Sequence, residues 1–272
     1  GIAPELSSNT DLEDLLSLWR FLAYFPDFKQ AGEWRQQTNA KMAKLFDGGL
    51  IYPDGTQREQ ANEVHRNLLG SLYLLRERLL EAGIPLPEGL DEGLQRLWEP
   101  VFAAVRPDGR MPLTGDSSPD ARWDEPRPHF AGIPLGGLTP AMQYITSNGK
   151  QGLAPEGPPS RFLAWGGQLI SRSAWDRGAH WSFFDIGPYG TGRNSYRVHL
   201  DRLHLSVSAY GRDLLVDAGT GERSSKSHNV ILIDGADQKA SPRFAASPIP
   251  QEQYRITQEF DYARGSADGF EV

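Results

Sequence analysis

The 272 residues carry 39% hydrophobic and 23% charged side chains, the balance of a folded globular protein and not of a disordered one. A formal charge of −7 argues against a general nucleic-acid binder, and no apolar run is long enough to span a bilayer. The absence of cysteine excludes disulfides, thiolate catalysis and cysteine-based zinc sites. An anionic partner still fits if basic residues cluster locally, because a cleft focuses its own field. The opening Gly1-Ile2-Ala3-Pro4 has no basic n-region, so the chain reads as a mature or trimmed piece. A cysteine-free chain suits the cytoplasm and the bacterial periplasm alike.

Residues 1–115 read as helices. Thr10 and Glu13 have capping-box spacing ahead of Leu12, Leu15, Leu16, Trp19 and Leu22, one face of a first helix that Pro26 ends. A second helix is expected over roughly 31–46, with Trp34, Met42 and Leu45 inward. After the Pro53-Asp54-Gly55 turn, a third carries Val64, Leu68, Leu72, Leu75 and Leu79. A fourth carries Leu90, Leu94, Leu97, Val101, Phe102 and Val105 and stops at Pro107-Asp108-Gly109. Short connections make neighbouring helices antiparallel pairs. Residues 116–160 are rich in proline and glycine and read as a linker or a cleft wall.

From 161 to 272 the pattern turns to strands, expected at 163–170, 181–186, 203–209, 213–217, 230–233 and 254–262. Leu203, Leu205, Val207 and Ala209 alternate with His204, Ser206, Ser208 and Tyr210, the period of a half-buried strand. His204 is expected on the sheet's second face. Leu214, Leu215 and Val216 read as a more buried strand, and Val230–Ile233 as another ending at Asp234-Gly235. Helices first and strands after give an α+β chain with segregated layers. The last strand pattern reaches Val272 without a closing element, so the β part is expected to be partial. His199, Asp201, Asp217 and His228 sit at the strand ends, where a sheet can hold a metal or a catalytic group.

The motifs resemble those of the heparinase II/III-like polysaccharide lyases. His199-Leu-Asp201-Arg-Leu203, Ala209-Tyr-Gly-Arg-Asp-Leu-Leu-Val-Asp217-Ala-Gly219, Ser227-His-Asn-Val230 and Asp234-Gly235 are similar to that family's sheet signature, in its order. His199 and Asp217 stand 18 apart, as in the family. Tyr52-Pro-Asp-Gly55 with Glu59 and His65 resembles its helix start, Pro107–Asp116 its toroid-exit loop, and Ser8-Asn9 the segment carrying its substrate-binding asparagine. The resemblance implies an N-terminal α/α toroid followed by an antiparallel β-sandwich, each partial. It implies β-elimination at a uronic acid, as in alginate or heparan sulfate, and a metal at His199, Asp217 and His228. This chain departs from the family in having Thr10 beside Asn9, Val64 before His65 and Arg197 two residues before His199. The stretch between Gly219 and Ser227 is also shorter than the family's.

A uronate lyase neutralises the C6 carboxylate, removes the C5 proton and protonates the leaving O4. Donors aimed at the carboxylate meet the charge that builds there. Asn9 suits that task, although asparagine is equally a helix N-cap. His65 and Tyr196 suit proton transfer. Arg193, Arg197 and Arg202 suit an anionic-sugar clamp, because guanidinium binds carboxylate bidentately; a solvated loop is the plainer reading of the same run. Glu59 is the further substrate-binding candidate. His199, Asp217 and His228 have the donor chemistry of zinc, in a structural role. Five of the seven tryptophans, Trp98, Trp123, Trp165, Trp175 and Trp181, are core aromatics first and sugar platforms second. A tight turn at Gly211-Arg212 would set Asp217 opposite Ser206, so a bulge or twist is needed to bring Asp217 to His199.

The expected partner is an acidic polysaccharide, with no nucleic acid and no membrane span. The expected location is periplasmic or secreted, and oligomeric state stays open. Two other readings fit the same residues. One is a glycoside hydrolase on a toroid, for which Asp54, Glu59 and Asp116 are the carboxylate candidates. The other is a non-catalytic protein of the same fold that binds acidic glycans.

Overall fold

A computed structural model of the chain describes residues 9–118, 139–147, 149–189, 199–239 and 245–267. Four helices come first: α1 (Asn9–Tyr24), α2 (Ala31–Lys44), α3 (Asn62–Glu81) and α4 (Leu90–Ala104). A short α5 (Pro140–Thr146) precedes the strands β1 (Arg161–Leu163), β2 (Gln168–Arg172), β3 (Trp181–Asp185), β4 (Leu205–Ala209), β5 (Arg212–Leu215), β6 (Tyr254–Ile256) and β7 (Asp261–Ala263). Among the described residues the chain is therefore helices followed by antiparallel sheet, an α+β fold.

Periodicity accounts for the helical layer. Leu12, Leu15, Leu16, Trp19 and Leu22 of α1 are buried, as are Leu68, Leu72, Leu75 and Leu79 of α3 and Leu90, Leu94, Leu97, Val101 and Phe102 of α4. All of these but Leu22 form one core with Met42 and Leu45. Helix α3 packs on α1 and α4, and α1 on α2. Helix α2 runs on through a π-helical turn at Leu45–Gly49. Trp34 lies outside that core. It is half-buried in an aromatic group with Phe28 and Phe21, at ring separations of 5.2 Å and 6.1 Å.

The main sheet has the order β1-β2-β3-β4-β5, every pair antiparallel, and β6-β7 form a separate hairpin. The expected strand 163–170 is in fact a hairpin, β1-β2, turned by Gly166-Gly167. There the chain passes so close to the end of β3 that a Cβ on Gly187 would lie 1.9 Å from the Gly166 carbonyl oxygen. The expected strand 254–262 is likewise a hairpin, β6-β7. The 230–233 segment is not a strand: it makes one bridge, Ile233 to Ala236, and Ile231 is exposed. Its apolar residues have no neighbouring strand to pair with among the described residues.

Two further expectations are corrected. Strand β5 is exposed along its length, because it is the last strand in the sheet order. In β4 the positions buried against the helices are Ser206 and Ser208, while Leu205 and Val207 are half-buried. Trp181, Phe183 and Ile170 fill the helix-facing side with Leu163 and Ala103. Small serines fit beside those rings, and Ser208 also accepts from Arg106 at 3.2 Å and donates to Asp213 at 2.9 Å.

Polar contacts lock the two layers. Asp54 Oδ2 accepts from the backbone N–H groups of Trp165 at 2.6 Å and Gly166 at 3.0 Å. Gln168 donates to Gln60 at 2.6 Å, and Arg172 to the Ala103 carbonyl at 3.1 Å. Asp213 at the outer edge pairs with both Arg106 and Arg110 from the loop after α4. No described helix is long and apolar enough to cross a membrane.

Candidate active site and metal centre

The site forms where the loop after α4 meets the open ends of β3, β4 and β5. Tyr210 and Gly211, with φ of 55° and 71°, make a two-residue hairpin turn that sets Ala209 opposite Arg212. The register then slips between Val207 and Ser208, leaving Val207 opposite Leu215. This is a bulge of the kind needed to carry Asp217 along the sheet, and it brings Asp217 beside His204. Leu203 adopts a left-handed backbone, φ 67°, just before β4. His204 lies on the face of Ser206 and Ser208, opposite Leu205 and Val207, as expected, and that face is the buried one.

Asp217, His204 and His228 are buried together. His228 Nδ1 donates to Asp217 Oδ2 at 2.6 Å, and His204 Nδ1 lies 3.2 Å from the same oxygen. Asp217 Oδ1 accepts from the Gly219 N–H at 2.7 Å. The Asn229 N–H points at His204 Nδ1, 3.3 Å away, so that nitrogen carries the lone pair and Nε2 donates to Ser206 at 2.7 Å. His199 approaches from the other side, its ring centroid 5.2 Å from that of His228. His199 Nε2 donates to Asp116 at 3.0 Å, and Arg223 donates to the same oxygen at 3.3 Å. Asp116 thus ties the helical part to the sheet at the site itself.

Burial lowers the basicity of His204, only partly countered by Asp217 and Asp201. Burial also works against the charged form of His228, but there the hydrogen bond and charge of Asp217 outweigh it and hold the imidazole above its usual value. Next to the cluster, burial and then the charge of Asp201 push Asp185 up to about 8, so its carboxyl is protonated at neutral pH.

Among the described residues two groups of side chains hold their ligand atoms within 4.8 Å of one another: His199, Asp201 and His228, and His204, Asp217 and His228. The expected ligands His199, Asp217 and His228 are thus divided between two groups that share His228. Sequence reasoning missed His204 as a member of the cluster and Asp116 as its anchor. The signal for His204 was its residue type alone.

The other candidates fall as follows. Asn9 is the first residue of α1, and its side chain lies outside the described residues, as do Arg193, Tyr196 and Arg197. His65 is buried in the seam between layers, near Thr56, Gln60 and Gln168, and its Nε2 donates to the Leu97 carbonyl at 2.8 Å. Burial lowers its pKa to about 4. Glu59 is half-buried in the loop before α3. Arg202 is bracketed through its backbone by Gln238, which accepts from its N–H at 3.1 Å and donates to its carbonyl at 2.9 Å. Trp98 and Trp181 are core aromatics, Trp165 stacks on Tyr52, Trp175 lies under Arg172, and Trp123 is outside the described residues.

A family model described as heparinase II/III-like, C-terminal, matches residues 154–269, and one described as heparinase II/III N-terminus matches residues 7–127. No curated protein matches the chain. Among solved structures, the chain is similar to the heparan sulfate lyase HepC from Pedobacter heparinus, with 22% identity and a TM-score of 0.69 over 88% of this chain and 39% of that one. A heparinase III gene product gives 18% identity and a TM-score of 0.72 over 88% and 39%. A further heparinase III gives 17% and 0.72 over 87% and 40%. At these identities the likeness is one of fold, and the chain spans about two-fifths of the length of those structures.

Proposed function

We infer, because this chain belongs to the heparinase II/III-like family, that it acts as a polysaccharide lyase on a uronic-acid-containing glycan. The observation that carries the reading is the buried cluster of His199, His204, Asp217 and His228, anchored to the helical layer by Asp116. Its donors, imidazole and carboxylate, suit a divalent cation, with zinc the expected species. Among the described residues, the buried Nδ1 of His199 and Nε2 of His228 have no hydrogen-bond partner, which fits a cation there. A bound cation would hold the strand ends in place and add positive charge near an acidic sugar.

In the elimination, a base takes the C5 proton, its electron pair forms the C4–C5 double bond, the C4–O4 bond breaks, and O4 gains a proton. Asn9 and Arg197 neutralise the C6 carboxylate, which stabilises the charge that builds on it. Tyr196 removes the C5 proton and returns one to O4, the task for which Val64 offers no group. His65, held by Leu97 and neutral at working pH, serves as a wall residue beside that chemistry. Arg193, Arg202 and Glu59 contact the flanking sugar. A hydrolase on this frame would need two available carboxylates across the cleft. Asp54 is occupied by Thr56, Trp165 and Gly166, and Asp116 by His199 and Arg223, which favours elimination.

The HepC neighbour acts on heparan sulfate, so that polymer is the first substrate to try, followed by alginate and hyaluronan. A periplasmic or secreted location suits a polymeric substrate. The test is the near-ultraviolet absorbance of the new C4–C5 double bond on incubation with each glycan. A rise on at least one uronate polymer is expected. Tight binding without cleavage would instead favour the glycan-binding reading, which the substituted positions Thr10, Val64 and Arg197 also fit.

A further inference from the structure

At the opposite end of β3 and β4 from the histidine cluster, the sheet face turned away from the helices floors an open cleft of about 830 Å³. That volume lies in the range of small-molecule sites. A strand of five residues is roughly 17 Å long, so the cleft and the cluster are separate. Ser171 of β2, Ser182 of β3 and Val207 of β4 stand in one row across the strands. Ser171 and Ser182 are half-buried, and among the described residues their hydroxyls have no partner. Ser173 follows at the rim, where its hydroxyl accepts from the His180 N–H at 2.9 Å. The facing wall is the tip of the β6-β7 hairpin. There Thr257 Oγ1 accepts from the N–H groups of Glu259 at 3.2 Å and Phe260 at 2.9 Å, and donates to the Phe260 carbonyl at 2.7 Å, which fixes the turn. The hairpin is seated on β1 by Tyr254, whose ring stacks on Phe162 at 3.8 Å, and by Asp261, which accepts from Ser160 at 2.5 Å. Phe260 is thus held at the cleft although 51% exposed, with the exposed Glu259 beside it.

We propose that this cleft binds an uncharged, hydroxyl-rich sugar unit of a glycan. The Phe260 ring offers a flat apolar surface to the C–H face of a pyranose. Ser171, Ser173, Ser182 and His180 supply donors and acceptors for its hydroxyls, and the Glu259 carboxylate accepts from them. Charge sets the choice of sugar. Among the described residues the lining has no lysine, and its one arginine, Arg172, turns to the other face of the sheet. The Arg172 guanidinium is held there by the Ala103 and Val105 carbonyls, 4.1 Å from the Trp175 ring centre. Glu259 and Asp261 repel a carboxylate or a sulfate. The serine row in turn disfavours an apolar helix or a lipid chain, which would cover those hydroxyls without pairing them.

The test is a titration followed by amide nitrogen–proton NMR, with cellobiose and N,N′-diacetylchitobiose as the uncharged probes and glucuronic acid as the charged control. Shifts are expected at the amides of Ser173, Ser182, Glu259 and Phe260 with at least one disaccharide, without shifts at His204 or His228. Glucuronic acid at the same concentration is expected to leave the cleft amides in place. Phe260→Ala is expected to weaken binding about 3–10-fold, the effect of losing one stacked ring. Ser182→Phe fills the floor and is expected to abolish binding. If Ser182→Phe fails to fold, the exposed Phe260→Ala carries the test alone. Three results overturn the proposal: no shift at the cleft with either disaccharide, equal shifts with glucuronic acid, or equal affinity in Phe260→Ala. Cleft shifts on raising protein concentration alone would make a second copy of the chain the occupant, and overturn it too.

Discussion

At the scale of single residues, His65 makes the clearest thermodynamic prediction. Its folded pKa of about 4 lies below the ordinary value of 6.5, with burial the main cause. The unfolded chain therefore binds the proton first as pH falls. The stabilising contribution is present above pH 6.5 and is lost as pH drops toward 4. At about 1.4 kcal/mol per pK unit the loss is on the order of 3 kcal/mol. Urea unfolding at pH 7 and pH 4.5 should show a smaller difference for His65→Gln than for wild type; an equal difference would mean that His65 is not the group responsible. Gly187 gives a steric prediction beside the site. Because its Cβ would meet the Gly166 carbonyl, Gly187→Ala should lower stability by about 1–3 kcal/mol, read as a fall in thermal midpoint. Residue types made His199, Asp217 and His228 legible as a possible ligand set in the sequence. Their pairing was not: Asp116 reaches His199 from 83 residues away, and strand parity sets His204 on the serine face without showing that this face is the buried one.

At the scale of elements, the helices were readable because burial on one face imposes a 3.6-residue period within the segment itself. Strands were less so, since pairing depends on distant partners. Leu214, Leu215 and Val216 have the composition of an interior strand, yet among the described residues β5 has a neighbour on one side alone. Val230–Ile233 is apolar and still fails to join the sheet. The β1-β2 turn was equally hidden, because it depends on Asp54 reaching across from the loop before α3. That single carboxylate receives Trp165 and Gly166 on one oxygen and Thr56 on the other. Hydrogen bonds to a charged group contribute about 1.5–3 kcal/mol each, with strong non-additivity. Asp54→Ala is expected to destabilise the chain by about 2–4 kcal/mol. It should also speed hydrogen exchange at the Trp165 and Gly166 amides ahead of those in β3. Uniform acceleration throughout the sheet would show that Asp54 supports global folding and not this junction.

At the scale of the whole molecule, a helical layer and an antiparallel sheet meet over a small apolar cluster flanked by polar contacts, and the histidine cluster sits where the loop after α4 reaches the sheet. This junction explains why the site draws on both layers: Asp116 comes from the loop after α4, and its partners His199 and Arg223 come from the β part. The likeness to heparinase structures concerns this same pairing of layers over 88% of the chain. Family membership makes β-elimination the central claim, and elimination differs from hydrolysis in whether water enters the products. The most direct measurement is mass spectrometry of oligosaccharides cleaved in water enriched in heavy oxygen. Elimination predicts product pairs whose masses sum to that of the substrate, with no label incorporated and one unsaturated end per cleavage. Products that together gain one water, with heavy oxygen at the new end, would contradict it.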